Sequence, residues 1–202
     1  MAGDAMNKAI LTCALPMLAL LSACDMGGGN AASNNGAAQG DLAGARIGGP
    51  FTLTDQDGKQ VRWDDFKGQY RLVYFGYTYC PDICPVDLQR IMQGFAQFEK
   101  ASPQLAAKVQ PMLISVDPAR DTPAVLKTYV AAFHPRLIGL TGTPDQIAKV
   151  AKDFAVIYGK EESAGASDYL VSHSRTPYLF GPDGQPIALV PVDDPGTPDV
   201  DE

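Results

Sequence analysis

Cys80 and Cys84 are spaced to act together, and they stand in the stretch Gly76-Tyr77-Thr78-Tyr79-Cys80-Pro81-Asp82-Ile83-Cys84-Pro85. A thiol acts as nucleophile or metal ligand in its ionised form. The apolar run Leu72-Val73-Tyr74-Phe75 before the pair reads as a buried strand, and Val86 to Lys100 after it reads as a helix. Pro85 suits the first position of that helix, whose unpartnered N–H groups favour a negative sulfur. Four uses of the pair stay open. A structural disulfide here would close so small a loop that it would constrain the unfolded chain little. An i, i+4 pair at a helix start has Cα atoms about 6 Å apart, within bridging range, so reversible thiol–disulfide exchange is available. A peroxide-reducing thiol and a metal site are the other two.

Metal binding needs a third ligand, and the chain has 2 histidines. His134, in Phe133-His134-Pro135, reads as a residue at a helix end. His173 stands in Tyr169-Leu170-Val171-Ser172-His173-Ser174-Arg175-Thr176-Pro177, just ahead of a late strand, and in a fold of this order that loop lies beside the cysteine turn. Two thiolates and an imidazole form a soft donor set. It suits Cu(I) with three ligands, Cu(II) with an added oxygen, or Zn(II) with an open position. Asp117, Arg120 and Asp121 read as turn and cap residues, Tyr77 and Tyr79 as packing around the cysteine loop, and Trp63 as core.

The remaining cysteines belong to the N-terminal region. Lys8 precedes an apolar stretch from Ala9 to Leu21, shorter than the roughly 18 residues of a membrane span, which reads as a signal peptide containing Cys13. Leu21-Ser22-Ala23-Cys24 is similar to the bacterial lipobox, so residues 1–23 are expected to be a lipoprotein signal peptide and Cys24 the lipidated anchor. By resemblance to enterobacterial lipoproteins, Asp25 after the anchor implies retention on the periplasmic side of the inner membrane. The stretch from Asp25 to about Ala45 is Gly, Ala, Asn and Ser with little apolar bulk, so residues 24–45 read as anchor and flexible tether and 46–202 as the folded domain. A net charge of −7 with no basic cluster excludes nucleic acid as a partner.

The domain must place those three side chains. Phe51-Thr52-Leu53-Thr54 and Lys59-Gln60-Val61-Arg62-Trp63 flank Asp55-Gln56-Asp57-Gly58 and predict an N-terminal β-hairpin, followed by a helical turn from Asp64 to Lys67. Strands are expected at 71–76, 109–116, 137–140, 155–158, 169–172, 177–180 and 187–190, with helices at 86–100, 123–133 and 144–154. Thr122-Pro123 and Thr143-Pro144 open the last two helices. This alternation predicts an α/β fold with a mixed central sheet and helices on both faces. The tail Gly196-Thr197-Pro198-Asp199 reads as a further helix start that is cut off.

Four segments carry a family resemblance: Tyr79 to Pro85, Ser115 to Pro123, Asp168 to Ser174, and Tyr178-Leu179-Phe180-Gly181-Pro182-Asp183-Gly184. In order and spacing they resemble the Sco/SenC proteins. The resemblance implies a thioredoxin-like domain, tethered to a membrane, that binds copper through Cys80, Cys84 and His173 and helps assemble the dinuclear copper centre of cytochrome c oxidase. It implies as a partner the oxidase subunit that carries that centre, and thiol exchange at the pair calls for a second, a thiol reductant or thioredoxin-like protein. An alternative role is thiol:disulfide reductase for the oxidase subunit's cysteines. One departure is Ser172, where the family usually has Asp or Asn before the histidine. A weaker or different hydrogen bond to the imidazole is expected there.

Overall fold

The computed structural model describes residues 40–161 and 169–192. The signal peptide, Cys24, most of the tether and the tail with its expected helix start lie outside the described residues. Among the described residues no helix is long and apolar enough to cross a membrane.

The expected hairpin is β1 (Thr52–Asp55) and β2 (Gln60–Arg62). Its turn closes because the Asp55 carboxylate accepts from the N–H groups of Asp57 and Lys59, and Gly58 takes φ 79°. A 3-10 turn, Trp63–Phe66, leads into β3 (Tyr70–Gly76). Helix α1 (Ile83–Ala101) and the short α2 (Pro103–Ala106) follow, then β4 (Val109–Ser115), α3 (Pro123–Ala131), β5 (Ile138–Thr141) and α4 (Pro144–Asp153). β3, β4 and β5 run parallel at the centre. β8 (Tyr178–Phe180) and β9 (Pro186–Leu189) extend the sheet antiparallel on one side, and β1–β2 on the other. The result is a seven-stranded mixed sheet in the order β2-β1-β5-β4-β3-β8-β9, the thioredoxin-like architecture that was expected.

Alternation along the central strands divides the core between two faces. Tyr74 and Leu113 point to the layer holding Leu88, Ile91, Met92 and Phe95 of α1 and Leu126 and Val130 of α3. Val73, Phe75, Met112 and Ile114 point to the other, with Ile147, Val150 and Ala151 of α4. On α1 the buried positions 84, 87, 88, 91, 92 and 95 form a single stripe. Leu88, 1% exposed, is one of its anchors, and burying such a side chain is worth about 2 kcal/mol. Trp63 is core as expected: its ring meets Phe51, Phe154 and Phe180 edge-on, and the Arg71 guanidinium stacks over it at 4.5 Å.

Three elements differ from expectation. α1 begins at Ile83, so Cys84 lies inside its first turn and Pro85 is the third helical residue, not the first. The strand expected at 155–158 is absent as such. α4 ends there in a Schellman motif: Val156 N–H donates to the Ala151 carbonyl at 2.8 Å, Ala155 N–H donates to the Lys152 carbonyl at 3.1 Å, and Ala155 takes φ 55°. Val156 looks like a strand residue because it is β-branched and buried, but its burial is that of a helix cap. The strand is β6 (Tyr158–Glu161), which pairs with β7 (Leu170–His173) in a two-stranded ribbon outside the main sheet. The backbone also pairs ahead of the boundary read at residue 45. Leu42 N–H donates to the Ile187 carbonyl at 2.9 Å and Leu189 N–H to the Gly40 carbonyl at 2.7 Å, so Gly40–Leu42 run along the outer edge of β9.

Candidate metal centre

The cysteine loop leaves the end of β3 and is pinned within two residues. Asp121, fully buried, accepts from Thr78 N–H at 3.1 Å, Thr78 Oγ at 2.6 Å and Ser115 Oγ at 2.6 Å. Burial pushes the Asp121 carboxyl up, and these hydrogen bonds oppose the shift. Thr78 is thereby tied to the end of β4, and the two cysteines follow from a fixed start.

Their environments are unlike. Cys80 is half-buried at the N-terminus of α1, and its sulfur accepts from Cys84 N–H at 3.4 Å. Asp82, the N-cap, makes no side-chain cap bond, so the sulfur serves the unpartnered N–H groups of the first turn. Burial opposes ionisation of Cys80, but hydrogen bonds from the Cys84 side chain and from the N–H groups of Asp82, Cys84 and Ile83 outweigh it, and its pKa falls below the ordinary thiol value. Cys84 is 1% exposed. Burial and the Cys80 side chain push its thiol well above the ordinary value. The two thiols are free.

His173, at the end of β7, meets Cys84: Nε2 lies 2.9 Å from Sγ across 89 positions of sequence. Its Nδ1 lies 2.9 Å from the Ser174 carbonyl, which can only accept, so Nδ1 carries the proton and Nε2 presents a lone pair to the Cys84 thiol. Burial holds the imidazole below the ordinary histidine value, hence neutral at neutral pH. Tyr74 and Tyr77 set their rings edge-on to it at 6.2 and 6.0 Å. Ser172 donates instead to the Gly159 carbonyl at 3.2 Å, so the imidazole is oriented by main chain where a side-chain acceptor was the usual device.

The ribbon that carries His173 is held at three places. Tyr77 Oη accepts from Val171 N–H at 3.1 Å. Arg175 forks onto Asp87 at 2.7 and 3.0 Å, and Tyr74 Oη donates to the same buried carboxylate at 3.1 Å. Tyr169 Oη donates to Asp117 at 2.7 Å, and Asp117 also pairs with Arg120. The turn and cap residues therefore hold the site together as well. Asp87 was not singled out from sequence, although a charged residue three positions after Cys84 on an apolar helix face was the signal for it. His134 lies elsewhere, paired with Glu99 at 3.0 Å.

Cys80, Cys84 and His173 are thus brought together. Two donors that share one metal ion stand roughly 3.6 Å apart, given bonds of about 2.3 Å to sulfur and 2.0 Å to nitrogen. The Cys84–His173 separation of 2.9 Å is that of a hydrogen bond, and among the described residues no cluster of three such side chains already forms a metal-ready shell. The donor chemistry fits a soft ion, and an opening of about 1 Å between ribbon and loop admits it.

The chain is similar to known proteins over the segment that carries this site. The SCO1/SenC family matches residues 39–200, which contain both cysteines and His173. Mitochondrial protein SCO2 of Saccharomyces cerevisiae is 45% identical over 140 residues, covering 69% of this chain and 46% of that protein. The chain spans about half the length of the curated relatives it matches. Among solved structures, copper-bound ScoI of Bradyrhizobium japonicum is 42% identical with a TM-score of 0.67, covering 73% of this chain and 91% of that one. BsSco, in which a disulfide switch is identified and which belongs to the Sco family of cytochrome c oxidase assembly proteins, is 29% identical with a TM-score of 0.56 over 75% of this chain and 87% of its own. With the match running from the edge of β9 through the cysteine loop to the histidine ribbon, this chain belongs to the SCO1/SenC family.

Proposed function

We propose that the protein is a copper chaperone in which the Cys80 and Cys84 thiolates and His173 Nε2 hold copper for delivery to the cytochrome c oxidase subunit bearing the dinuclear copper site. The observation that carries this reading is the direct approach of His173 Nε2 to Cys84 Sγ. Copper is cargo, held as Cu(I) or Cu(II). Cys80, half-exposed and more acidic, offers the first sulfur; Cys84 gives up a proton to bind, and Nε2, free of that S–H, supplies the nitrogen. Delivery follows by ligand exchange at the exposed loop, where Tyr79 is 52% exposed. A lipid on Cys24 would tether the domain to the periplasmic face of the inner membrane, and a thiol reductant would keep the pair open for metal.

Anaerobic titration of the reduced protein with Cu(I) and Cu(II), followed by X-ray absorption, tests this. One equivalent held by two sulfurs and one nitrogen is expected, with binding lost in Cys80→Ala and Cys84→Ala and reduced to a weaker two-sulfur site in His173→Ala. Unaltered binding in the histidine variant removes the nitrogen ligand, and no binding by the parent overturns the reading.

A second reading, thiol:disulfide reductase for the oxidase subunit's cysteines, is favoured by the asymmetry of the pair, one accessible acidic thiol beside one buried thiol. It requires both cysteines but not His173. Reduction of a disulfide-bonded target peptide by His173→Ala separates the two.

A further inference from the structure

Arg120 occupies an unusual seat. Its guanidinium lies over Tyr169 at 3.8 Å, Tyr79 at 4.8 Å and Tyr77 at 5.7 Å, and it is paired with Asp117. Those residues come from three segments: Tyr77 and Tyr79 from the cysteine loop, Asp117 and Arg120 from the turn after β4, and Tyr169 from the start of the histidine ribbon. Arg120 Nε donates to Asp117 while Nη2 is buried without a hydrogen bond, so the ion pair and the rings together define where the group sits. Lys160, on the other strand of the ribbon, lies over Tyr169 at 4.2 Å.

Of the three attachments of the ribbon, two reach the cysteine loop: Tyr77 by a buried hydrogen bond to Val171, and this one through the exposed Tyr79. Both Arg–Asp attachments pair a buried carboxylate with a partly exposed guanidinium, 37% for Arg175 and 18% for Arg120, but Arg120 lies against Tyr79 of the cysteine loop, which is 52% exposed. Tyr169 is four residues ahead of His173 along an extended strand, a lever of about 13 Å. In a copper-loaded chain a further tilt at that end carries Nε2 away from Cys84, beyond the separation at which both can bind one ion.

We propose that Arg120, with Asp117 and Tyr169, is a latch that seats the His173 ribbon against the cysteine loop, and that its opening withdraws the nitrogen ligand and sets the rate of copper release. The inference deepens the chaperone reading and rests on it. Arg120, Asp117 and Tyr169 are positioning residues, since none of them reaches the metal donors with a donor of its own. A partner that covers Tyr79 touches the latch directly, which makes release responsive to docking.

The test uses the reduced, copper-loaded full chain and follows transfer of Cu(I) to a Cu(I)-specific chelator. Tyr169→Phe removes the hydrogen bond to Asp117 and keeps the ring. It is expected to release copper about tenfold faster with unchanged stoichiometry. In a His173→Ala background the same substitution is expected to have no effect on release, a dependence that general loosening of the fold does not produce. Arg120→Lys, which keeps the charge but loses the planar stack, is expected to behave like Tyr169→Phe. In the metal-free protein both variants are expected to speed amide hydrogen exchange at Val171 and leave Thr78 unchanged. Equal release rates, or the same acceleration without His173, overturn the latch. A parent protein that binds no copper defeats the chaperone reading instead, and the metal-free exchange comparison still decides whether Arg120 holds the ribbon.

Discussion

The two parts of the site are built differently. The cysteine loop is continuous with a central strand and a helix of 19 residues, and Asp121 ties its start to the neighbouring strand. The histidine ribbon has two strands of 4 residues each, stands outside the main sheet, and is fastened by side chains from other elements. With Cys80, Cys84 and His173 as the proposed ligands, two stand on a rigid frame and one on a separately fastened arm. Metal held this way would be given up by moving a single element, because the arm is released without disturbing the core.

The contrast can be attacked from either side. The largest effect is expected from Arg175→Ala, which leaves the Asp87 carboxylate, 0% exposed, without its cation. Stranding a buried charge in this way costs about 3 kcal/mol, measured as a lower urea midpoint, and the exchange of Val171 and Ser174 should rise more than that of the central strands. Equal loss of protection throughout would show that the ribbon is no separate unit. Asp121→Ala attacks the loop instead. It removes the acceptor shared by Thr78 N–H, Thr78 Oγ and Ser115 Oγ and is expected to cost about 2 kcal/mol, with faster exchange at Thr78 and no change at Val171.

Ala155→Gly tests the joint between α4 and the ribbon. Ala155 is exposed at φ 55°, where a side chain costs about 1 kcal/mol, so glycine should raise stability by about that amount in a thermal melt and leave both halves of the site as they are. The smallest effect is one of pH. Burial holds His173 below its ordinary value of 6.5, so as pH falls the unfolded chain takes up more protons than the folded one. The stability contributed by neutral His173 is full above that ordinary value and is lost as the pH falls through the depressed folded value. Urea midpoints of the metal-free protein should therefore decline from neutral to mildly acidic pH, and less so in His173→Ala.

How legible each half was follows from the same contrast. Strand, cysteines and helix succeed one another in the chain, so local pattern alone places the loop, and only the helix start was misjudged. Cys80 explains that miss, since its sulfur occupies the first turn's N–H groups in place of a conventional cap. The ribbon is fastened by pairs that are 52, 88 and 94 positions apart, Tyr169–Asp117, Arg175–Asp87 and Val171–Tyr77, and no local periodicity announces them. Its first strand was placed early because Val156 and Ile157 have strand-like side chains, one of them buried as a helix cap and the other 81% exposed. His173 was found through its chemistry and the family resemblance. Asp87 was visible only as a charged residue on an apolar helix face, and Arg175 only as one more polar residue in a polar loop.

The pairing of Gly40–Leu42 with β9 has a consequence for the molecule in a crowd. β9 ends the seven-stranded sheet, and the outer edge of such a strand offers a row of N–H and C=O groups to any extended chain that meets it. Residues 40–42, which composition alone assigns to the tether, satisfy part of that row within the same molecule. A linker that reads from composition as mere length thus doubles as a guard against self-association, and a chain shortened to residue 46 would leave that edge open to its own copies.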